Sequence, residues 1–129
     1  MRAIDTNVIV RYLVGDDAAQ AARARILIDR NDVLVCTTVM LETEWVLRGV
    51  YGFSAAQCAR ALTDFAGLPR VKLEDTAAVA RALAWTRAGL DFADALHLAK
   101  ADGCDAFVSF DQDFAKAANA LGGIRVRAP

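Results

Sequence analysis

Four carboxylates, Asp5, Glu42, Asp94 and Asp111, stand in settings that could hold them in place. Asp5 follows the apolar pair Ala3-Ile4, and Asp111 follows the run AFVSF, so both lie at the carboxyl end of a predicted strand. Glu42 has Thr38, Val39, Trp45 and Val46 at helical contact spacing and no basic partner. Asp94 sits in FADALHLA, whose small apolar residues predict a packed helix start. Carboxylates gathered without partners repel, and some stay protonated. A buried one must pair, lose its charge or bind a cation. A divalent cation removes the conflict, and oxygen-only ligands suit Mg²⁺ or Mn²⁺ over Zn²⁺. Such ions activate water and stabilise the charge of a phosphodiester under in-line attack.

Each acid also has a purely local role open to it. Asp5 and Asp111 are good helix N-caps, worth about 1 kcal/mol each, and Asp113 could share that role. Asp91 is a natural N-cap, with Asp94 at the position three residues on that favours negative charge. Glu44 has Arg48 four residues later, the favourable order for a surface ion pair. His97, the single histidine, lies one turn after Asp94 and could hydrogen-bond it. No nucleophile elbow accompanies that histidine. Neither G-x-x-x-x-G-K-[ST] nor G-x-G-x-x-G occurs, which argues against nucleotide folds of those types.

The elements that must position these residues follow from the apolar pattern. A helix is expected over 6–14, ending at Gly15, then an Ala-rich helix capped by Asp16 or Asp17. VLVC near 33–36 reads as a buried strand, followed by a helix with a threonine cap. Ser54 and Gln57 form a capping box that opens a helix to about Phe65. RVKL over 70–73 is a third strand, and Asp75 caps the next helix, which Gly89 stops. A helix over 91–103, the strand 106–110, a last helix and an edge strand IRVRA complete the pattern. Short strands alternating with helices indicate an α/β domain with a mainly parallel sheet. In such sheets ligands bind beyond the carboxyl ends of the strands. If the strands before Asp5 and Asp111 are neighbours, the two acids share a crevice.

Size and composition are consistent with this. The chain has 129 residues, 56% of them hydrophobic, and a net charge of −1. That size predicts one domain over 1–129, and the charge excludes a strongly basic nucleic-acid binder. Twelve of the 15 basic residues are arginine, which suits bidentate phosphate contacts. No stretch reaches the roughly 18 apolar residues of a membrane span, and the start does not read as a signal peptide. Cys36, Cys58 and Cys104 lack metal-ligand spacing and read as reduced, mostly buried thiols of a cytoplasmic protein.

The segments AIDTNVIVRYL, LETEWVLRGVYG, DFADALHLA and SFDQDF occur in the order found in PIN domains, in the branch of bacterial VapC-type toxins. The sequence resembles that family over nearly its whole length. The resemblance implies a three-layer α/β/α sandwich around a mainly parallel sheet and a Mg²⁺- or Mn²⁺-dependent endoribonuclease. It implies that Asp5, Glu42, Asp94 and Asp111 form the acidic metal-binding quartet. Asp5 and Asp94 would be direct ligands, with Glu42 and Asp111 completing the site directly or through waters. Thr6, Asn7 and Ser109 match supporting polar positions, and Asp113 is the substitute should the fourth ligand be misplaced. It further implies a homodimer, an RNA substrate (transfer or ribosomal), and a small VapB-type antitoxin. The antitoxin would cover apolar residues among Tyr12, Leu13, Trp45, Val50, Tyr51 and Phe53, which otherwise read as core. Arg11 or Arg48 would hold the RNA backbone at the cleft rim.

A second function class shares an acidic Mg²⁺ pocket: a flavodoxin-like phospho-acceptor domain. Its pattern needs an acceptor aspartate after a central strand and a lysine after a later one. Here the middle strands run into Cys36-Thr37 and Leu73-Glu74, and no strand-end lysine follows Phe110.

Overall fold

The first strand, β1 (Arg2–Ala3), is short because Asp5 and the helix-forming run behind it end the extended chain at once. Helices α1 (Thr6–Val14) and α2 (Ala18–Arg30) follow. Gly15 separates them in a left-handed conformation, φ 71°, which glycine adopts without steric cost. Asp17 rather than Asp16 caps α2, accepting from the Gln20 amide at 3.0 Å. On α2 the buried residues are Ala21, Ala24 and Ile28, a three-and-four-residue spacing that packs one face inward. This computed structural model describes residues 1–129.

Strand β2 (Val33–Val35) leads to α3 (Thr37–Gly49) and α4 (Ala55–Ala66), and β3 (Val71–Leu73) follows. The three strands form one parallel sheet in the order β1-β2-β3, with Ala3 opposite Leu34 and Val33 opposite Val71. Val33 and Val35 are fully buried, as parallel strands with covered faces require. The expected threonine cap on α3 is not formed. Cys36 occupies the cap position without a side-chain bond, and Glu74, just past β3, accepts from the Thr37 amide at 2.9 Å. The capping box of α4 is present as expected, with Ser54 and Gln57 bonding reciprocally at 2.8 and 3.1 Å. Tyr12 of α1 meets Phe65 of α4 edge to face, 5.6 Å between centroids.

Helix α5 (Thr76–Arg87), helix α6 (Phe92–Lys100), strand β4 (Phe107–Val108), helix α7 (Gln112–Asn119) and strand β5 (Val126–Arg127) complete the chain. Strand β4 pairs with β5 in a second parallel sheet. Helix α6 stops three residues before the expected end at 103, where the chain turns at Gly103 with φ 90°. The strand expected over 106–110 shrinks to two residues, because only Phe107 and Ser109 donate amide bonds to the β5 segment. Residues Met1–Thr76 and Ala77–Pro129 form two compact units, each with its own sheet. The α/β class and the parallel strands are as expected, and the elements are compatible with a three-layer α/β/α sandwich. No helix is long and apolar enough to cross a membrane.

Of the three thiols, only Cys58 is buried; Cys36 is half-buried and Cys104 exposed. Burial, and then the Glu44 charge, push the Cys58 thiol up to about 11, so it is an inert packing group. Glu44 departs further from expectation. Its ion pair with Arg48 forms, at 2.6 Å, but the carboxylate is 2% exposed and is part of the core, not the surface. Trp45 and Val50, read as ordinary core, are exposed at 62% and 66%.

Candidate active site

The first unit carries Asp5 and Glu42. Asp5 caps α1, accepting from the Thr6 amide at 2.8 Å through one oxygen. The residue is exposed, so its other oxygen can still face solvent or a ligand. Thr6 is buried, and its hydroxyl donates to a carboxylate oxygen of Glu42 across 36 residues of sequence. That bond ties the start of α1 to the first turns of α3. Glu74 in turn holds the first amide of α3, a role that sequence reading missed. The signal was present: Glu74 is an acid directly after a strand, the placement that drew attention to Asp5 and Asp111. Asn7 is exposed beside them.

Thr37 sits at the same edge. With Ala3 opposite Leu34 in parallel register, the residues after β1 run alongside Cys36 and Thr37. The Thr37 hydroxyl is buried and lacks a hydrogen-bond partner, which native interiors rarely allow without a further ligand or water.

The second unit carries Asp94 and Asp111. Asp91 caps α6 and accepts from the Asp94 amide at 3.2 Å. Asp94 is half-buried between Phe92 and Ala95, both fully packed, as the composition predicts. Its carboxyl is raised above the usual aspartate range, first by burial, then by the charges of Asp91 and Asp111; His97 partly offsets this. His97 itself is exposed. Asp111 caps α7, accepting from the Phe114 amide at 2.9 Å, while the Ser109 hydroxyl accepts from the Asp111 amide at 3.0 Å. Asp113, in the first turn of α7, is exposed.

The structure therefore brings Glu42 to the Asp5 end of α1, and Asp111 to the neighbourhood of Asp94. Strands β1 and β4 belong to different sheets, so Asp5 and Asp111 do not follow hydrogen-bonded neighbouring strands. Within either unit, no three acidic, histidine or cysteine side chains converge on one metal position. The donor chemistry nevertheless fits a hard divalent cation. The candidates are all carboxylates, with hydroxyls beside them, and Asp94 is an acid whose charge its neighbours disfavour. A bound cation would reverse that penalty.

Arg48, one of the two arginines considered for the cleft rim, is committed to Glu44 through its Nε at 2.6 and 3.0 Å. Arg11 is held by Gln20 at 2.7 Å, by the Tyr51 hydroxyl at 3.1 Å and by Asp16 at 3.3 Å.

The sequence model of the PIN domain matches residues 3–120. No curated protein matches the chain. The crystal structure of the Mycobacterium tuberculosis VapC20 toxin, described as sarcin–ricin loop cleaving, aligns over 98% of this chain and 99% of that one, with 22% identity and a TM-score of 0.44. The family match covers nearly the whole sequence and includes all four acids of interest, and by it the chain belongs to the PIN domain family.

Proposed function

We propose that the chain is a single PIN-like domain over 1–129 that acts as a metal-dependent endoribonuclease, the toxin of a toxin–antitoxin pair. The observation that supports this best is the setting of Asp94. In a chain of the PIN family, this half-buried carboxylate stands where burial and two further acids oppose its charge. Shifted carboxyls of this kind cluster at functional sites.

Asp5, Glu42, Asp94 and Asp111 would hold Mg²⁺ or Mn²⁺, with Asp113 as the substitute fourth acid. When bound, the ion supplies an activated water and neutralises charge on the phosphodiester. The remaining work belongs to the chain's own groups. The Thr6 hydroxyl fixes one oxygen of Glu42, an otherwise exposed residue. The α1 cap fixes Asp5, and Ser109 with the α7 cap fixes Asp111. Anchored acids lose little freedom on binding, which is what a preorganised site requires. Exposed Trp45 and Val50 on and just after α3 offer apolar surface for a second copy of the chain or for an antitoxin.

Purified protein freed of metal by EDTA should leave cellular RNA intact and should cut it into discrete fragments when Mg²⁺ or Mn²⁺ is restored. Equal cleavage in EDTA, or none with either ion, would contradict the reading.

A further inference from the structure

A cavity of about 410 Å³ lies between α1 and α2 in the first unit, opening beside β1. This is within the roughly 300–1,000 Å³ of ligand pockets. Its polar lining is Arg2, Asn7, Arg11, Gln20 and Arg23. Val8, Ala24 and Leu27 supply its apolar lining. Three guanidinium groups thus share one depression. Arg11 is braced by Gln20, Tyr51 and Asp16. Arg2 and Arg23 are exposed, and no carboxylate pairs with either. Gln20 spends its amide oxygen on Arg11, which leaves its NH₂ free to donate. Asn7 lines the cavity and lies two residues after Asp5, so cavity and candidate site meet along one turn of α1.

We propose that this cavity is a subsite for single-stranded RNA, in which Arg2 and Arg23 take backbone phosphates while Asn7 and Gln20 face a base. The proposal rests on the nuclease reading for the identity of its ligand. Two unpaired guanidinium groups call for anions in series, as a nucleic-acid backbone presents them. Amide side chains beside apolar ones suit a planar, polar-edged base. Arg11, held by three partners, is a wall of the cavity rather than a phosphate clamp. An acidic peptide would also meet the arginines, but it would leave the Asn7 and Gln20 amides without a use.

The test is binding of a short fluorescein-labelled single-stranded RNA, read by anisotropy across a salt series, in an Asp5→Asn background that keeps the RNA whole. Arg2→Gln with Arg23→Gln should weaken binding about tenfold, and each removed arginine should lower the salt slope by about 0.7. Both side chains are exposed, so the variants should keep the parent's melting temperature. Arg60→Gln, on α4 and outside the cavity, should bind as the parent does. In the active background the arginine pair should raise KM and leave kcat nearly unchanged. Unchanged affinity and slope would overturn the proposal. So would loss of binding to a glutamate-rich peptide with RNA binding intact, which would make the cavity a protein-docking surface. If the wild type never cleaves RNA yet binds it through Arg2 and Arg23, the subsite stands and the nuclease reading falls. Metal-dependent cleavage indifferent to the two arginines would keep the nuclease and discard the subsite.

Discussion

At Asp94 burial and neighbouring acids act in the same direction, against the charged form. Its folded-state pKa is raised above the ordinary 3.8, so folding favours the proton. The stability that the protonated form contributes is fully present below pH 3.8 and lost as pH rises through the raised value. Above that raised value the charged carboxylate is therefore a burden on the fold. Asp94→Asn should raise the melting temperature at pH 7 by a few degrees, on the order of 1 kcal/mol or less, and the gain should shrink towards pH 4. Thermal unfolding of both proteins across that range checks this; a lower melting temperature at pH 7 would contradict it. Asp5 behaves differently, since its structural role is a cap that asparagine fills equally well. Asp5→Asn should change stability by only about a few tenths of a kcal/mol while abolishing cleavage. The two roles of Asp5, cap and candidate ligand, were legible in the sequence because an acid after a short apolar run permits both. The role of Glu44 was not. Its spacing to Arg48 announced the pair, but spacing says nothing of depth, and only the structure shows the carboxylate 2% exposed. Arg48→Ala would leave that buried charge without its partner. The cost should be about 2 kcal/mol in chemical unfolding, below the usual figure for a buried pair because the arginine side chain is 37% exposed.

Helices were the elements most fully legible, because amphipathic spacing and caps are local signals. The box at Ser54 and Gln57 and the stop at Gly15 needed no tertiary information. Strands were less so. A two-residue strand such as β4 exists only through its partner, and AFVSF gives no sign of where pairing ends. Sheet membership was likewise hidden, since it depends on which strands meet. The Glu74 contact is of the same kind: it joins β3 to α3 over 37 residues, beyond the reach of any local pattern. It also supports function, because α3 carries Glu42. Glu74→Ala should cost at least about 1 kcal/mol of stability, measured by denaturant unfolding. An unchanged midpoint would show that solvent caps α3 equally well.

Over the whole molecule, the four acids proposed as ligands are divided between the two compact units. Asp5 and Glu42 come from the first, Asp94 and Asp111 from the second. This division explains why no single stretch of sequence reads as an active site and why four separated motifs are needed to recognise the family. The central claim of the proposed function is that Asp5 and Asp94 are each needed for metal-dependent cleavage. The most direct measurement is cleavage of cellular RNA, with Mg²⁺ or Mn²⁺, by wild type, Asp5→Asn and Asp94→Asn, each shown to be folded by thermal unfolding. The account predicts discrete fragments from the wild type and none from either variant, a loss of at least about a hundredfold for removal of one ligand. Cleavage at the wild-type rate by either variant would contradict it.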